Sequence, residues 1–242
     1  MRYAIFSDVH SNLEALEAVM GSCKKEGVDK YLCIGDLVGY GANPRECIEK
    51  VKSVASVICA GNHDWAAVRL FSLEYFNSDA RSAILWTRHL LSQAHQSFLE
   101  SLKLTFKNED LILVHGTLNN PHEFNYLSDA YIAEETFRLM DSNVCFVGHT
   151  HQPQIFSKDQ NERIYAHKDA AVTLSKANKY IVNVGSVGQP RDGDPHASYC
   201  IYDSEEKEIQ IKRVKYNAEA ARKKIIEKGL PKFLGDRLIS GR

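Results

Sequence analysis

The sequence lacks the features of a membrane-bound, secreted or cysteine-rich zinc protein. None of its six cysteines forms a C-x-x-C pair, whereas structural zinc modules are usually rich in cysteine. No apolar run is long enough to cross a membrane, and the run 1–6 is too short for a signal peptide. We therefore expect a cytoplasmic protein whose cysteines are buried as small apolar side chains in a reducing compartment.

An excess of charge of either sign is also absent. Lysine and arginine number 30 against 31 aspartate and glutamate residues, which gives a net charge of -1 at pH 7. This balance creates no global basic field that would recruit nucleic acid or an anionic membrane. We expect no membrane association and no specific nucleic-acid binding, so any affinity for phosphate must come from a local site.

The chain contains no internal repeat, no low-complexity tract and no Ser/Gly linker. Its 242 residues are enough to bury a sizeable core, and 44% of them are hydrophobic, which is ordinary for a globular protein. We expect a single domain over residues 1–242. Within it we expect a helical insertion at about 65–102 and a C-terminal helix at about 217–228.

The first 64 residues alternate between short apolar runs and amphipathic helices. A capping box from Ser11 to Glu14 predicts the start of the first helix. Asn43 followed by Pro44 predicts the start of the second. This βαβαβ alternation indicates a parallel or mixed sheet covered by helices. The expected strands are at 3–6, 31–34 and 57–59.

Further strands are expected in the rest of the chain. Two apolar runs flank Asn108-Glu109-Asp110 and predict a β-hairpin. A helix is expected at 131–140, followed by a strand at 144–147. Later runs are expected to form strands of a second sheet, at 180–182, 199–202 and 209–211.

Five of the apolar runs end in a residue that can bind a metal ion, namely Asp8, Asp36, Asn62, His115 and His149. In open α/β sheets, sites form beyond the carboxyl ends of the strands. We therefore expect these side chains to meet at one rim, although they are far apart in sequence.

Two further histidines, His10 and His151, extend this set. Each stands two residues after a candidate ligand, and in extended chain this spacing places both side chains on one side. Glycines 35, 61, 116 and 148 adjoin the candidate ligands and are expected to allow sharp turns and the approach of substrate. Each piece alone is explained as a turn or a buried histidine, but the set favours a metal centre.

Asp36 is expected to bridge two metal ions. A carboxylate has two oxygens that can each bind a different cation, and two dications about 3.5–4 Å apart need a shared anion between them. An ordinary Gly-Asp turn is the alternative for this dipeptide taken alone.

In order along the chain, these motifs resemble those of the calcineurin-like metallophosphoesterase superfamily. The resemblance spans about residues 1–203 and rests on Asp8-x-His10, Gly35-Asp36, Gly61-Asn62-His63-Asp64, Val114-His115-Gly116 and Gly148-His149-x-His151. It implies an α/β fold, an αββα sandwich of two mixed β-sheets flanked by helices. It also implies that one metal ion is held by Asp8, His10, Asp36 and His151. The second ion would be held by Asp36, Asn62, His115 and His149.

The resemblance further assigns His63 and Asp64 to catalysis. In the family this histidine does not bind metal but faces the substrate, and the following acidic residue holds its ring. An imidazolium in that position can protonate the leaving group. The alternative is a histidine that only packs the turn.

Departures from the protein-phosphatase pattern indicate the compact bacterial and archaeal subgroup. The Asp-Arg-Gly that follows the bridging motif in protein phosphatases is replaced by Gly39-Tyr40-Gly41, and Asp64 stands where they carry Glu. The loop 185–193 resembles a loop of this subgroup, although Val184 stands where a proline is usual.

Two residues are expected to contact substrate. Arg191, in the loop 185–193, is a permanent cation suited to bidentate contact with phosphate. A simple Gly/Pro turn is the alternative for this loop. Tyr40 follows the bridging motif and is expected to stack on a base.

The charge balance of this ligand set favours a phosphate substrate, because Asp8 and Asp36 leave two dications with surplus positive charge. We expect a hydrolase that cleaves a small phosphate ester or nucleotide with metal-activated water, as a phosphodiesterase or dinucleoside polyphosphate hydrolase. The ligand types suit divalent transition metals, manganese first and iron, cobalt, nickel or zinc as alternatives. Other functions on the same fold are a phosphomonoesterase or protein phosphatase, and a non-catalytic metal-binding scaffold, which the presence of His63 disfavours.

Overall fold

The computed structural model describes all 242 residues, with twelve strands, eight α-helices and two 3-10 turns. The strands are β1 (Arg2–Phe6), β2 (Lys30–Cys33), β3 (Ala55–Ile58), β4 (Thr105–Lys107), β5 (Ile112–Val114), β6 (Val144–Val147), β7 (Gln154–Lys158), β8 (Ile164–His167), β9 (Ala171–Thr173), β10 (Lys179–Asn183), β11 (Ala197–Asp203) and β12 (Glu208–Val214). The helices are α1 (Leu13–Glu26), α2 (Pro44–Val54), α3 (Asn62–Ala67), α4 (Ser78–Leu90), α5 (Gln93–Ser101), α6 (Ala130–Leu139), α7 (Ala218–Glu227) and α8 (Lys232–Ser240). The 3-10 turns are Leu73–Tyr75 and Pro121–Glu123.

The first sheet has the strand order β3-β2-β1-β11-β12-β9. Strands β1, β2 and β3 are parallel, and β11 joins them antiparallel to β1, with Ile5 opposite Cys200. We expected β11 and β12 in the second sheet, and this was wrong. Sequence order suggested a separate late sheet, but the chain returns to pair with its own first strand.

The second sheet has the order β4-β5-β6-β10-β7-β8. Strands β5, β6 and β10 are parallel, and β4 pairs with β5 as the expected hairpin. Each sheet therefore contains three adjacent parallel strands with additional antiparallel strands beside them. The carboxyl ends of the parallel strands carry the loops that matter below.

Three layers of apolar side chains hold the sheets and helices together. Because side chains alternate across a strand, Ile5 of β1 points between the sheets, where it joins a cluster with Phe146 and Tyr202. Its neighbour Phe6 points outward against α1 and α2. A third cluster joins the second sheet to α6. This αββα sandwich of two mixed sheets confirms the expected fold.

The helix starts follow local capping chemistry. The cap of α1 is Asn12, whose side chain accepts a hydrogen bond from Ala15 N, so the expected Ser11 capping box was placed one residue too early. Pro44 opens α2 as expected.

All six cysteines are free and buried, as expected, and none of the helices combines the length and apolar character needed to span a membrane.

The helices outside the sandwich form two groups. Residues 65–102 contain the end of α3, a 3-10 turn, α4 and α5. At the C-terminal end, α7 begins at Ala218 after its cap Asn217, near the expected position. A further helix, α8, follows and was not anticipated. Helices α7 and α8 share an apolar cluster with α4 and with Tyr40.

Candidate metal centre and substrate cleft

The seven candidate metal ligands lie together where the parallel strands of both sheets end. Backbone hydrogen bonds connect their loops: Asp8 N donates to Gly35 O at 3.0 Å, and His10 N donates to Asp36 O at 2.9 Å. Across the sandwich, Gly188 N donates to Asp8 O at 2.8 Å. None of the seven side chains is more than 8% exposed. The convergence at one rim follows from the parallel strands of both sheets.

The backbone of this rim is strained. Five of the seven candidate ligands have positive φ angles: Asp8 (56°), His10 (47°), Asp36 (53°), His149 (68°) and His151 (60°). A non-glycine residue in this region costs on the order of 1–2 kcal/mol. Strain of this kind clusters at functional sites, where the surrounding fold must hold it in place.

Three histidines are oriented by backbone carbonyls. The Nδ1 atoms of His10, His115 and His151 lie 3.0, 2.8 and 2.6 Å from the carbonyl oxygens of Val38, Ile34 and Gln189. A carbonyl only accepts, so each Nδ1 carries a proton, and in the neutral form of each ring Nε2 presents a lone pair. These tautomers leave Nε2 available to bind a metal ion.

Two pairs of histidine nitrogens lie close together. The Nε2 atoms of His10 and His151 are 3.0 Å apart, and His115 Nε2 lies 3.2 Å from His149 Nδ1. In the neutral rings of His10 and His151 the two lone pairs repel each other unless a cation lies between them. Two nitrogens bound at right angles to one ion, at about 2.0–2.1 Å each, would be about 3.0 Å apart. The histidine pairs therefore fit cations shared within each pair.

Each carboxylate uses one oxygen to hold a loop and leaves the other free. Oδ2 of Asp8 accepts the backbone N–H of His149 at 3.0 Å, and Oδ1 of Asp36 accepts that of His63 at 2.9 Å. The remaining oxygens, Asp8 Oδ1 and Asp36 Oδ2, are buried without a hydrogen-bond donor, and so is Asn62 Oδ1. Unsatisfied buried oxygens are costly, and bound cations would satisfy them.

Asp36 Oδ2 occupies the position expected of a bridge. It lies 3.5 Å from Nε2 of His10 and 3.3 Å from Nε2 of His115, between the two histidine pairs. We expected the two oxygens of Asp36 to bind different ions. Instead, Oδ1 accepts a hydrogen bond from a backbone N–H, and Oδ2 alone faces both His10 and His115.

The potential ligand atoms form three groups in which all atoms lie within 4.8 Å of one another. Two groups match subsets of the expected sites: Asp8 with His10 and His151, and Asp36 with His115 and His149. The third joins His10 and Asp36 to His63, which we did not expect among the ligands. Together the oxygen and imidazole donors fit two divalent transition-metal ions, with Asn62 Oδ1 as a further donor.

Electrostatics keep most donors in the form that binds metal. Burial raises the pKa of Asp8, but the facing His151 and His10 outweigh it and hold the pKa below its usual range. The pKa of Asp36 is lowered in the same way, because nearby histidines, chiefly His115, outweigh the effect of burial. Burial lowers the pKa of His149 and of His151 to about 3, so both are neutral at pH 7.

The pKa values of His115 and Asp64 are instead raised. Burial lowers the pKa of His115, but Asp36 outweighs it and raises this pKa to about 9. Burial and the neighbouring Asp36 raise the pKa of Asp64 to about 7, although three backbone donors favour its ionised form. Because those donors converge on its two oxygens, we assign Asp64 as a carboxylate.

His63 is held differently from the expected arrangement. Asp64 does not touch its ring but accepts backbone N–H groups of Leu37, Val38 and Gly61. The ring is instead enclosed by aromatic neighbours, with its Nδ1 buried and without a partner. Burial holds the pKa of His63 well below its usual value. Asp64 therefore fixes the loops around the ring, whereas packing fixes the ring itself.

The glycines beside the ligands provide space for protein atoms. A Cβ at Gly61 would overlap Oδ1 of Asp36, and one at Gly39 would overlap Nδ1 of His63. Gly39 also has a φ of +94°, which side-chain-bearing residues rarely adopt. We expected Gly61 to make room for substrate, but the side chain of Asp36 fills the space beside it.

A cleft of about 230 Å³ opens over the centre and is lined by Asp36, Asn62, His63, His149 and His151. Arg191 reaches this cleft, where it donates hydrogen bonds to Tyr40 Oη at 3.2 Å and Gln189 Oε1 at 2.9 Å. Its backbone N–H is held by His151 O. The structure therefore places Arg191 beside the candidate ligands.

Tyr40 also lines the cleft but is only 8% exposed. Its ring packs against His10 and His63 at centroid distances of 4.6 and 4.5 Å, and the Arg191 guanidinium lies 5.6 Å from its centroid. Little of the ring is therefore exposed in the cleft, and the expected stacking on a base stays a prediction. The ring of Tyr40 packs against His63, and its hydroxyl accepts a hydrogen bond from Arg191.

Several cleft residues were missed by the sequence analysis: Tyr75, Phe76, Asn77, Tyr126 and Arg237. Tyr126 stacks on His149 with centroids 4.0 Å apart and planes inclined by 10°. Arg237 belongs to the unexpected helix α8. The spacing of Leu230, Leu234 and Leu238 at i, i+4 and i+8 is a helical signal that would have revealed this element.

Comparisons with known proteins find related sequences and structures. A family model described as the calcineurin-like phosphoesterase superfamily domain matches residues 1–207. An uncharacterized protein of Methanocaldococcus jannaschii is 41% identical over 243 residues, covering 99% of this chain and 98% of that protein. The crystal structure of a metallophosphoesterase from Sphaerobacter thermophilus has a TM-score of 0.88 at 40% identity, covering 100% of this chain and 99% of that one. A hypothetical protein from Pyrococcus horikoshii shares the fold, with a TM-score of 0.80 at 18% identity, covering 100% and 98%.

Proposed function

The chain belongs to the calcineurin-like phosphoesterase superfamily, and we propose that it is a dinuclear-metal-dependent phosphoesterase that hydrolyses small phosphate esters. Manganese is the leading metal, because the mixed carboxylate, amide and imidazole donors suit it, while iron, cobalt, nickel and zinc remain alternatives. A cytoplasmic location is part of the same proposal and rests on the six free, buried cysteines.

The pair of free carboxylate oxygens at the rim carries this proposal. Asp8 Oδ1 lies 3.2 Å from His151 Nε2, and Asp36 Oδ2 lies 3.3 Å from His115 Nε2, yet neither oxygen has a donor. A purely structural cluster would have satisfied these atoms with hydrogen bonds. The arrangement instead supports cation binding.

We assign the ligands in two sets that share Asp36. The first set is Asp8, His10, Asp36 and His151, and the second is Asp36, Asn62, His115 and His149. When bound, such ions act as Lewis acids on phosphoryl oxygens and lower the pKa of water.

The protein's own groups supply positioning and a proton. Arg191 contacts phosphate oxygens from the cleft wall, because its guanidinium has only neutral partners, Tyr40 and Gln189. Since His63 Nδ1 is buried against Gly39, Nε2 is the ring nitrogen left to face the cleft. There it protonates the leaving oxygen once the negative charge of the bound substrate offsets the burial that lowers the pKa of the free ring, with Asp64 holding the surrounding loops.

The natural substrate is proposed to be a diester or a dinucleoside polyphosphate, with phosphomonoesters and phosphoproteins as the alternative. A structure described as a putative diadenosine tetraphosphatase shares the fold at 14% identity with a TM-score of 0.52, which is a likeness of fold alone. All of these substrates present a phosphate group that could enter the cleft beside Arg191.

A substrate panel tests this proposal. Hydrolysis of bis-p-nitrophenyl phosphate, p-nitrophenyl phosphate and diadenosine tetraphosphate is measured with and without manganese, and metal content is determined on the same samples. Manganese-dependent turnover is expected, with kcat/KM highest for the tetraphosphate. Turnover of only the p-nitrophenyl esters would exclude a dinucleoside polyphosphate as the natural substrate. Two bound ions without turnover of any ester would support the scaffold alternative.

A further inference from the structure

Arg237 is a second cation in the cleft and comes from outside the matched family domain, which ends at residue 207. It stands in the last turn of α8 and shares the cleft wall with Arg191. The candidate metal ligand Asp36 is the only carboxylate among the cleft-lining residues. The wall above the metal centre therefore carries two guanidinium groups and no acid.

The fold holds Arg237 firmly in this position. Leu234 and Leu238 of α8 pack in one apolar cluster with Tyr40, the residue that supports Arg191. The end of α8 is tied to the Arg191 loop, since Gly193 N donates to Gly241 O at 2.8 Å. The two arginines are therefore linked through both backbone and core contacts.

No acidic side chain lies within ion-pair distance of Arg237. Its Nε donates at 2.7 Å to an oxygen of Arg242, the last residue of the sequence, and its guanidinium lies 5.2 Å from the centroid of the Phe233 ring. Its two terminal nitrogens make no hydrogen bond to the protein. Burial and the charge of Arg191 lower its pKa, an effect that Tyr40 and Asp79 oppose.

Two like charges held together in a partly buried cleft repel each other, and an anion between them relieves the repulsion. We propose that Arg237 and Arg191 jointly bind a second phosphate of the substrate, next to the phosphate that is hydrolysed. This inference rests on the proposed function and deepens it, because it selects substrates with at least two linked phosphates. Two planar guanidinium groups can each form paired hydrogen bonds with the oxygens of linked phosphates.

The size and lining of the cleft agree with this substrate class. Pockets that enclose a drug-sized ligand measure about 300–1,000 Å³. At about 230 Å³ this cleft has room for a short phosphate chain, while the rest of a nucleotide would extend past it. Tyr75 and Tyr126 line the cleft at 76% and 52% exposure, so their rings are accessible to the remainder of the substrate.

The test compares two product-like inhibitors that differ by one phosphate. Inhibition constants of adenosine monophosphate and adenosine diphosphate are measured against manganese-dependent p-nitrophenyl phosphate hydrolysis at a fixed free manganese concentration. The variants are Arg237→Met, which removes the charge, and Arg237→Lys, which keeps the charge without the fork. Lys232→Met is the matched control, because it removes a 72% exposed cation from the same helix outside the cleft.

The wild-type protein is expected to bind the diphosphate at least tenfold more tightly than the monophosphate. Arg237→Met should reduce this ratio about tenfold, in keeping with loss of one charge-assisted contact. Arg237→Lys should reduce it less, and Lys232→Met should leave it unchanged. An equal ratio in wild type and Arg237→Met would overturn the inference.

Failure of the proposed function is recognised separately, as an absence of hydrolysis in the wild-type protein. The preference for the diphosphate over the monophosphate is then measured from the shift in Tm that each nucleotide produces. A ligand that binds the folded state raises Tm. A larger shift for the diphosphate that Arg237→Met abolishes would support the second phosphate site. Equal shifts for wild type and variant would contradict it.

Discussion

The backbone N–H of His63 donates a 2.9 Å hydrogen bond to Oδ1 of Asp36. This N–H lies in the first turn of α3, where backbone donors have no partner within the helix. The proposed bridging carboxylate therefore also anchors the helix that carries the proposed acid. Oδ2 remains for metal binding, so one residue fixes the metal centre and His63 relative to each other.

Substitution of His63 should separate metal binding from turnover. Because the Asp36 contact uses the backbone of residue 63, His63→Asn should retain both metal ions. We expect kcat to fall by about 10²–10⁴-fold, with a larger loss for an alkyl phosphate than for p-nitrophenyl phosphate, whose leaving group needs little protonation. Steady-state kinetics with metal analysis measure both effects.

Two other results for His63→Asn would contradict this role. Equal losses on both esters would indicate electrostatic stabilisation rather than proton transfer. Loss of one metal ion would instead make His63 a ligand, as its proximity to His10 and Asp36 allows.

Gly39 should be needed for the position of the His63 ring. A methyl group there would overlap His63 Nδ1, and the φ of +94° is strained for alanine. We expect Gly39→Ala to lower stability by about 1–3 kcal/mol and kcat by about 10²-fold, because the ring must move. Gly21→Ala is the control: Gly21 lies in α1 with open space around its Cα, so alanine should stabilise by about 0.5–1 kcal/mol without changing kcat. An unaltered kcat in Gly39→Ala would refute the packing role.

Much of this site could be predicted because its ligands follow strand ends. Asp8, Asp36 and Asn62 come directly after apolar runs, and parallel strands bring such residues to a common rim. The sandwich followed from the resemblance of those motifs. Sheet membership could not be predicted in the same way, since β11 pairs with β1 across almost the whole chain and no local pattern specifies that partner.

The remaining features depend on tertiary contacts. The resemblance implied that Asp64 holds the His63 ring, but its side chain accepts hydrogen bonds from backbone N–H groups of Leu37, Val38 and Gly61. The positive φ angles of His149 and His151 are likewise imposed by the surrounding loops. Arg237 was missed because its helix lies beyond the motifs and its position depends on packing against Tyr40.

Asp64 should be essential for stability rather than for chemistry alone. Alanine would leave the buried donors Leu37 N, Val38 N and Gly61 N unsatisfied. At about 1–3 kcal/mol for each unsatisfied donor, Asp64→Ala should destabilise the protein by about 3 kcal/mol or more. Chemical denaturation measures this change.

Asp129→Ala provides the comparison for Asp64. Its carboxylate accepts two backbone N–H groups at the exposed start of α6, where water can replace it, and a loss of about 1 kcal/mol is expected. Similar losses in the two variants would mean that the Asp64 contacts are not buried as described.

Arg191 should contribute to substrate binding and not to metal binding. Arg191→Ala should raise KM or lower kcat/KM by about tenfold while metal content stays full, because it removes a charge-assisted contact to phosphate. Arg138→Ala, which removes an arginine whose side chain is 70% exposed, should change neither quantity. Unchanged kcat/KM for Arg191→Ala on every substrate would assign its loop to a purely structural turn.

We propose that the rim holds two divalent metal ions bridged by Asp36. The most direct test is the metal content of manganese-saturated protein after removal of free metal, determined for wild type, Asp8→Asn and Asp36→Asn. We expect two ions per chain in wild type, about one in Asp8→Asn and weakened binding of both in Asp36→Asn. One ion or none per wild-type chain at saturation would contradict it.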